Sequence, residues 1–196
     1  MSVYAIGDTH LSFSVDKPMD IFKGWDDYAQ RLENNWQRLI TNEDTVVING
    51  DISWAMTLEE AKSDFKFLDS LPGTKIIGKG NHDFWWSTAT KINAFFAQHK
   101  IDSIELLQNN AYKVEDKIIC GTRGWFTDDS QQLTVSETDY AKIVNREVIR
   151  LKLSLDAAVK LRDESGENLP ILVFLHFPPV WNGFVCRSHV CELCFL

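Results

Sequence analysis

Thr45-Val46-Val47-Ile48-Asn49-Gly50-Asp51 is a short apolar run stopped by a turn and closed by an acid. It reads as a buried strand whose carboxyl end presents a carboxylate. The same plan recurs along the chain. Val3-Tyr4-Ala5-Ile6 ends at Gly7 and delivers Asp8 and His10. Lys75-Ile76-Ile77 runs into Gly78-Lys79-Gly80-Asn81-His82-Asp83, and Ile171 to Leu175, opened by Pro170, ends at His176.

Helical periods separate these runs. Tyr28, Leu32, Trp36, Leu39 and Ile40 predict an amphipathic helix over about 27–41. Thr57 and Glu60 have capping-box spacing ahead of Leu58, Ala61, Phe65 and Leu68, a helix that stops before Pro72-Gly73. Ile92, Phe95 and Phe96 mark a third helix over about 87–99. Then the pattern changes to short strands at 104–107, 111–114 and 117–120, with Glu115-Asp116 as a hairpin tip. Tyr140, Ile143, Val144, Val148, Leu151, Leu155 and Val159 sustain a long helix over about 137–163. Alternating strands and helices, then a meander, then a helix and a last strand describe a layered α/β domain with sheet packed on sheet. No internal linker interrupts 1–184, which reads as one domain, followed by an atypical Cys-rich tail over 185–196.

Composition narrows the function. The 196 residues are 44% hydrophobic and 24% charged, enough for a packed core and too apolar for a disordered chain. No repeat or low-complexity tract supports a solenoid or collagen-like reading, and no apolar run reaches the roughly 20 residues that span a bilayer. The N-terminus lacks the pattern of a secretory leader, so the expected setting is the cytoplasm, without membrane association. A net charge of −8 with scattered basic residues argues against duplex nucleic acid as a partner. It leaves room for a small phosphorylated substrate when a bound cation outweighs the surrounding field.

Four strand-end loops thus carry ligand-type residues: Asp8 and His10; Asp51; Asn81, His82 and Asp83; and His176. Strand ends collect ligands in α/β sheets because they bring residues distant in sequence into one crevice. Carboxylate, imidazole and amide oxygen together suit borderline divalent ions such as Mn, Fe or Zn. Three of the five histidines fall in these loops.

In order and placement, Asp8-Thr9-His10, Gly50-Asp51, Gly80-Asn81-His82-Asp83 and His176 resemble the motifs of calcineurin-like metallophosphoesterases, nearest to bacterial phosphohydrolases of that family. The resemblance runs from residue 3 to about 180. It implies a four-layer α/β/β/α sandwich and two divalent ions, one on Asp8, His10 and Asp51, the other on Asp51, Asn81 and His176, with Asp51 shared. It further implies hydrolysis of a phosphate ester by a metal-bridging hydroxide, with His82 as general acid. Asp83 is expected to orient His82, and Arg123, between Gly121-Thr122 and Gly124, to grip a substrate phosphate by its planar fork. Trp54, Trp85, Trp86, Trp125 and Trp181 lie close to these loops and offer either an aromatic wall or core packing.

The family also carries a C-terminal Gly-His-x-His segment, and this sequence has none. The reading is therefore of a C-terminally incomplete domain with weakened metal affinity. Its alternative is a catalytically impaired remnant of the same fold that binds a phosphorylated ligand or a protein. Cys186, His189, Cys191 and Cys194 also offer four soft ligands, though with a one-residue middle gap far shorter than known zinc folds use.

Overall fold

Each apolar run that stops at glycine or an acid forms a strand, and each helical period between runs forms a helix. The structure, a computed structural model, describes residues 1–125, 137–181 and 185–186, with backbone alone at 137–138, 180–181 and 185–186. Its chain groups into two compact units, Met1–Leu106 and Leu107–Leu196. His189, Cys191, Cys194 and the Cys186 side chain, the proposed ligands of the tail, lie outside the described residues.

The first unit holds β1 (Val3–Ile6), α1 (Tyr28–Leu39), β2 (Thr45–Asn49), α2 (Lys62–Ser70), β3 (Thr74–Gly78), α3 (Ala89–His99) and β4 (Ile104–Leu106). Its sheet is parallel throughout, in the order β1-β2-β3-β4. Three right-handed crossovers stepping in one direction put all three helices on one face. The register agrees. Tyr4, Val46, Lys75 and Ile104 are lateral neighbours, as are Ile6, Ile48, Ile77 and Leu106. The apolar members of that face share one core with Trp36 of α1, Phe65 and Leu68 of α2, and Ile92, Phe95 and Phe96 of α3. Each such side chain contributes roughly 1.5–3 kcal/mol when fully buried.

Capping chemistry explains where two helices begin. The Thr88 hydroxyl accepts the Lys91 N–H at 3.3 Å and starts α3. Thr57 Oγ1 likewise accepts the Glu60 N–H at 3.3 Å, but the Glu60 carboxylate takes the Met56 N–H at 2.8 Å instead of closing the box on Thr57. The turn at 57–61 is correspondingly irregular, and the regular helix begins at Lys62.

The second unit holds β5 (Ala111–Val114), β6 (Lys117–Thr122), α4 (Glu137–Ser165), β7 (Ile171–Leu175), β8 (Val180–Trp181) and β9 (Val185–Cys186). β5 and β6 form the expected hairpin, turning at Glu115, and β7 adds parallel to β6. Ile118, Cys120, Ala158 and Leu169 make its core, supported by Leu155, Ile171 and Val173. The buried stripe of α4 departs from the apolar period: it runs Glu147, Leu151, Ser154, Ala158, while Val159 is exposed. Hydropathy cannot show this, because two of the four inward residues are polar and act as hydrogen-bond partners. Ser154 Oγ accepts the Gly121 N–H at 2.9 Å and donates to the Asn110 carbonyl at 2.6 Å. Gly121 is required there, since a Cβ would stand 2.0 Å from the Phe174 carbonyl oxygen.

Among the described residues the first core also contains a lysine. Lys75 is fully buried at the start of β3, and its ammonium donates to the Leu71 and Gly73 carbonyls that end α2. Burial pushes its pKa down to about 8, with Asp69 opposing. Below that pH the group is charged in both states, and the folded one bears the desolvation. Above it the folded side chain loses its proton before the unfolded one does, so stability from this site rises up to the unfolded value, 10.5. In urea titrations, the wild type should therefore gain on the order of 2 kcal/mol relative to Lys75→Met between pH 8 and 10. A constant difference across that interval would contradict the assignment.

Candidate metal centre

The parallel ladder of β1 and β2 continues past the strands. The Asp8 N–H donates to the Gly50 carbonyl at 3.1 Å, His10 to Asp51 at 2.9 Å, and Leu11 to Ile52 at 2.9 Å. The Trp54 N–H returns to Leu11 at 2.9 Å, and the Thr9 hydroxyl donates to the Ile52 carbonyl at 3.0 Å. The two ligand-bearing loops are thereby zipped into a single edge.

That edge is strained where the ligands sit. Asp8, His10 and Asp51 have φ of 55°, 44° and 51°, three of the seven non-glycine residues with positive φ among those described. Left-handed backbone at such residues costs roughly 1 kcal/mol or more each, so the surroundings must impose it. Strain of this kind aims side chains that a relaxed strand end would splay. A carboxylate oxygen of Asp8 and one of Asp51 lie within 4.8 Å of each other. His10 Nε2 stands 3.7 Å from Asp8 Oδ1 and 3.7 Å from Asp51 Oδ2. Two carboxylates and an imidazole nitrogen on one point form a mixed donor set that fits a divalent transition ion.

Asp83 holds this arrangement. Its Oδ2 accepts the N–H groups of Asp51 at 2.9 Å and Gly80 at 2.7 Å. Its Oδ1 accepts those of Ile52 at 2.8 Å and Ser53 at 3.4 Å, together with the Trp85 indole N–H at 3.0 Å. Burial pushes its carboxyl up, and the N–H donors of Gly80, Ile52 and Ser53 pull the other way. Asp83 therefore organises the loops after β2 and β3, in place of the direct partner of the His82 ring expected from sequence.

The β3 loop is fixed to the same carboxylates. The His82 N–H donates to Asp51 Oδ1 at 2.8 Å. A Cβ on Gly80 would stand 2.0 Å from that oxygen, so only glycine lets the loops approach. Asn81 is half-buried between these two anchors. The His82 ring lies 5.8 Å from that of His10 and 4.7 Å from that of Trp54. Trp54 stacks on His10 at 4.7 Å with 18° between planes, its N–H on Met19 Sδ and Lys17 Nζ over its ring at 4.9 Å. Of the two roles open to the tryptophans, Trp54 flanks the histidine rings, Trp85 is core with Trp86 packed against it, and the Trp181 side chain is not described.

Helix residues that sequence reasoning overlooked complete the support. Tyr28 of α1 donates its hydroxyl to the His10 carbonyl at 3.0 Å. Asp64 of α2, buried and with its pKa raised by that burial, accepts the Ser53 hydroxyl and, at 2.9 Å, the Phe13 N–H. Asp64 sits inside an otherwise apolar helical stripe, which is the one signal available for it.

In the second unit His176 follows β7 as expected, half-buried, its ring edge-on to Phe177 at 5.1 Å. Arg123 differs from expectation. It donates to fully buried Glu147 at 3.0 Å and lies 4.4 Å over the Trp125 ring. Glu147 also accepts Arg150 at 2.8 Å and the Thr122 hydroxyl at 3.0 Å. A buried carboxylate needs such partners, and Nη2 of Arg123 is one of them, so the guanidinium serves Glu147 through that group.

A family model for calcineurin-like phosphoesterases matches residues 1–194. The chain belongs to that family. Phosphoester hydrolysis supported by divalent metals is accordingly its chemistry, and the mixed α/β fold with a parallel sheet agrees. No curated protein matches the chain. Among solved structures it is similar to a protein of unknown function, AQ665 from Aquifex aeolicus. That match has 19% identity and a TM-score of 0.43, and covers 98% of this chain and 86% of the other. It is also similar to a phosphopantetheinyl hydrolase from Mycobacterium tuberculosis, with 12% identity, TM-score 0.44, and coverage of 91% and 68%. No helix among the described residues is long and apolar enough to cross a membrane.

Replacing one Asp83 oxygen by an amide removes an acceptor from at least two N–H groups. Asp83→Asn should destabilise the protein by about 3 kcal/mol in urea denaturation, and Gly80→Ala by a similar amount. Wild-type stability in either variant would contradict the anchoring role.

Proposed function

We propose that this phosphoesterase cleaves its substrate at a dinuclear centre, with Asp8, His10 and Asp51 holding one ion and Asp51, Asn81 and His176 the other. The convergence of Asp8, His10 and Asp51 on strained, cross-linked backbone carries the reading. His176 and Asn81 enter it through the order of the family's motifs. Mn, Fe or Zn fits the oxygen and nitrogen donors. In this proposal residues 1–184 are one domain of the family's four-layer type, and the substrate is a small phosphorylated molecule met in the cytoplasm. Bound divalent ions would neutralise phosphoryl charge and make water nucleophilic near neutral pH.

The chain's own residues supply the rest. Asp8 and Asp51 set the negative field that attracts cations to this edge, and Asp51 is immobilised because one of its oxygens already holds the His82 N–H. His82, as imidazolium, gives its proton to the departing alkoxide oxygen. Trp54 packs against both histidine rings and limits their rotation, so the proton donor keeps one orientation. Asp83 keeps the ligand loops in register and is a positioning residue.

With Mn added, His82→Ala should lower kcat by roughly 10²–10³-fold on phenyl phosphate, and by less on 4-nitrophenyl phosphate, whose leaving group needs a proton less. Its Mn binding by calorimetry should remain. Asp51→Asn should lose both binding and turnover. Equal rates for wild type and Asp51→Asn would refute the centre, and Mn binding by the wild type without turnover on any ester would favour the impaired alternative.

A further inference from the structure

A cleft of 290 Å³ opens at the carboxyl end of β1, lined by Asp8, Trp25, Tyr28, Arg31, Leu32 and Asn35 among others. Asp8 is the shared edge: its side chain is 59% exposed while it points toward His10, so whatever fills the cleft abuts the ligand carboxylate. Tyr28, Leu32 and Asn35 recur on one face of α1, with Arg31 four residues before Asn35. Trp25 forms a flat wall, its ring 5.4 Å edge-on to Tyr28 and 6.2 Å from His10.

Arg31 is the unusual member. Its Nη1 donates to the Gly24 and Asp26 carbonyls, each at 3.0 Å. Two neutral carbonyls fix the guanidinium without cancelling its charge, in a chain whose net charge is −8. They use both Nη1 hydrogens and leave the Nε and Nη2 edge, the edge that meets carboxylates and phosphates in paired hydrogen bonds. Such an arginine is prepared for an anion. A cleft of this volume stands at the small end of ligand pockets and suits one ring with a small substituent.

We propose that this cleft is the leaving-group subsite, and that it selects phosphoesters whose alcohol part carries a flat ring and a second anionic group, phosphate or carboxylate. The ring lies on Trp25 and the second anion takes the free edge of Arg31. This inference rests on the phosphoesterase reading for the position of the first phosphate.

The test is calorimetric binding of three non-hydrolysable ligands to Mn-loaded protein: phenylphosphonate, 4-phosphonobenzoate and 1,4-phenylenebisphosphonate. At least one doubly anionic ligand should bind about 10-fold or more tightly than phenylphosphonate, and which one identifies the preferred anion. Arg31→Gln should reduce that preference to about 2-fold, Arg31→Lys, which keeps the charge and loses the planar fork, should fall between the two, and Trp25→Ala should weaken all three ligands alike. Equal affinities in the wild type, or a preference that survives Arg31→Gln, would overturn the subsite. Turnover of phenyl phosphate, measured in parallel, separates the two claims. Turnover without preference removes the subsite alone, whereas preference with no turnover of phenyl phosphate or 4-carboxyphenyl phosphate contradicts the hydrolase and with it the leaving-group assignment, leaving only an anion-binding cleft.

Discussion

Five donors converge on the Asp83 carboxylate, four of them backbone N–H groups from the loops after β2 and β3. A buried carboxylate left without partners is expensive, so these loops and this side chain enforce one another. The left-handed turn at Asp51 persists because its N–H reaches Asp83 and its side chain reaches the His82 N–H. From Asp51 the constraint passes to His10 and Asp8 through the hydrogen bonds that extend the β1–β2 ladder. The candidate centre is thus one cross-linked object whose ligands cannot relax individually. Metal sites need ligands held close together despite mutual repulsion, and strained backbone fixed by buried hydrogen bonds provides that before any ion arrives.

Helices reach the same object from behind. α1 and α2 share one core with the sheet, and each sends one polar group to the loops after β1 and β2: Tyr28 to the His10 carbonyl, Asp64 to Ser53 and Phe13. Packing of Trp36, Phe65 and Leu68 therefore does more than stabilise the fold, because it fixes the heights from which those polar groups act. α1 additionally supplies Arg31 and Asn35 to the cleft at Asp8, so one helix couples core packing, ligand positioning and the proposed choice of substrate.

Much of the fold was legible in the sequence. Strand runs ending in Gly-Asp, Gly-Asn-His-Asp and His mark their own ends, because an apolar period breaks where the chain must turn and present polar groups. The strand-end addresses of Asp8, His10, Asp51, Asn81 and His176 follow from that alone. What stayed hidden depends on partners distant in sequence. Asp83 looks like a companion of His82 until the Asp51 and Ile52 N–H groups are placed beside it. Arg123 looks like a group kept for a substrate phosphate until Glu147, 24 positions later, is turned inward beside it. Ser154 and Glu147 defeat the apolar period of α4 for the same reason. A polar residue is read correctly only when its acceptor or donor is known, and periodicity carries no information about that.

Diffraction at the manganese edge, from crystals grown with Mn²⁺, measures the central claim most directly. The account predicts an anomalous peak in direct coordination with Asp8, His10 and Asp51, with the Asp83 hydrogen bonds unchanged. Ordered side chains at these positions, with no peak among them or the ion bound elsewhere, would contradict it.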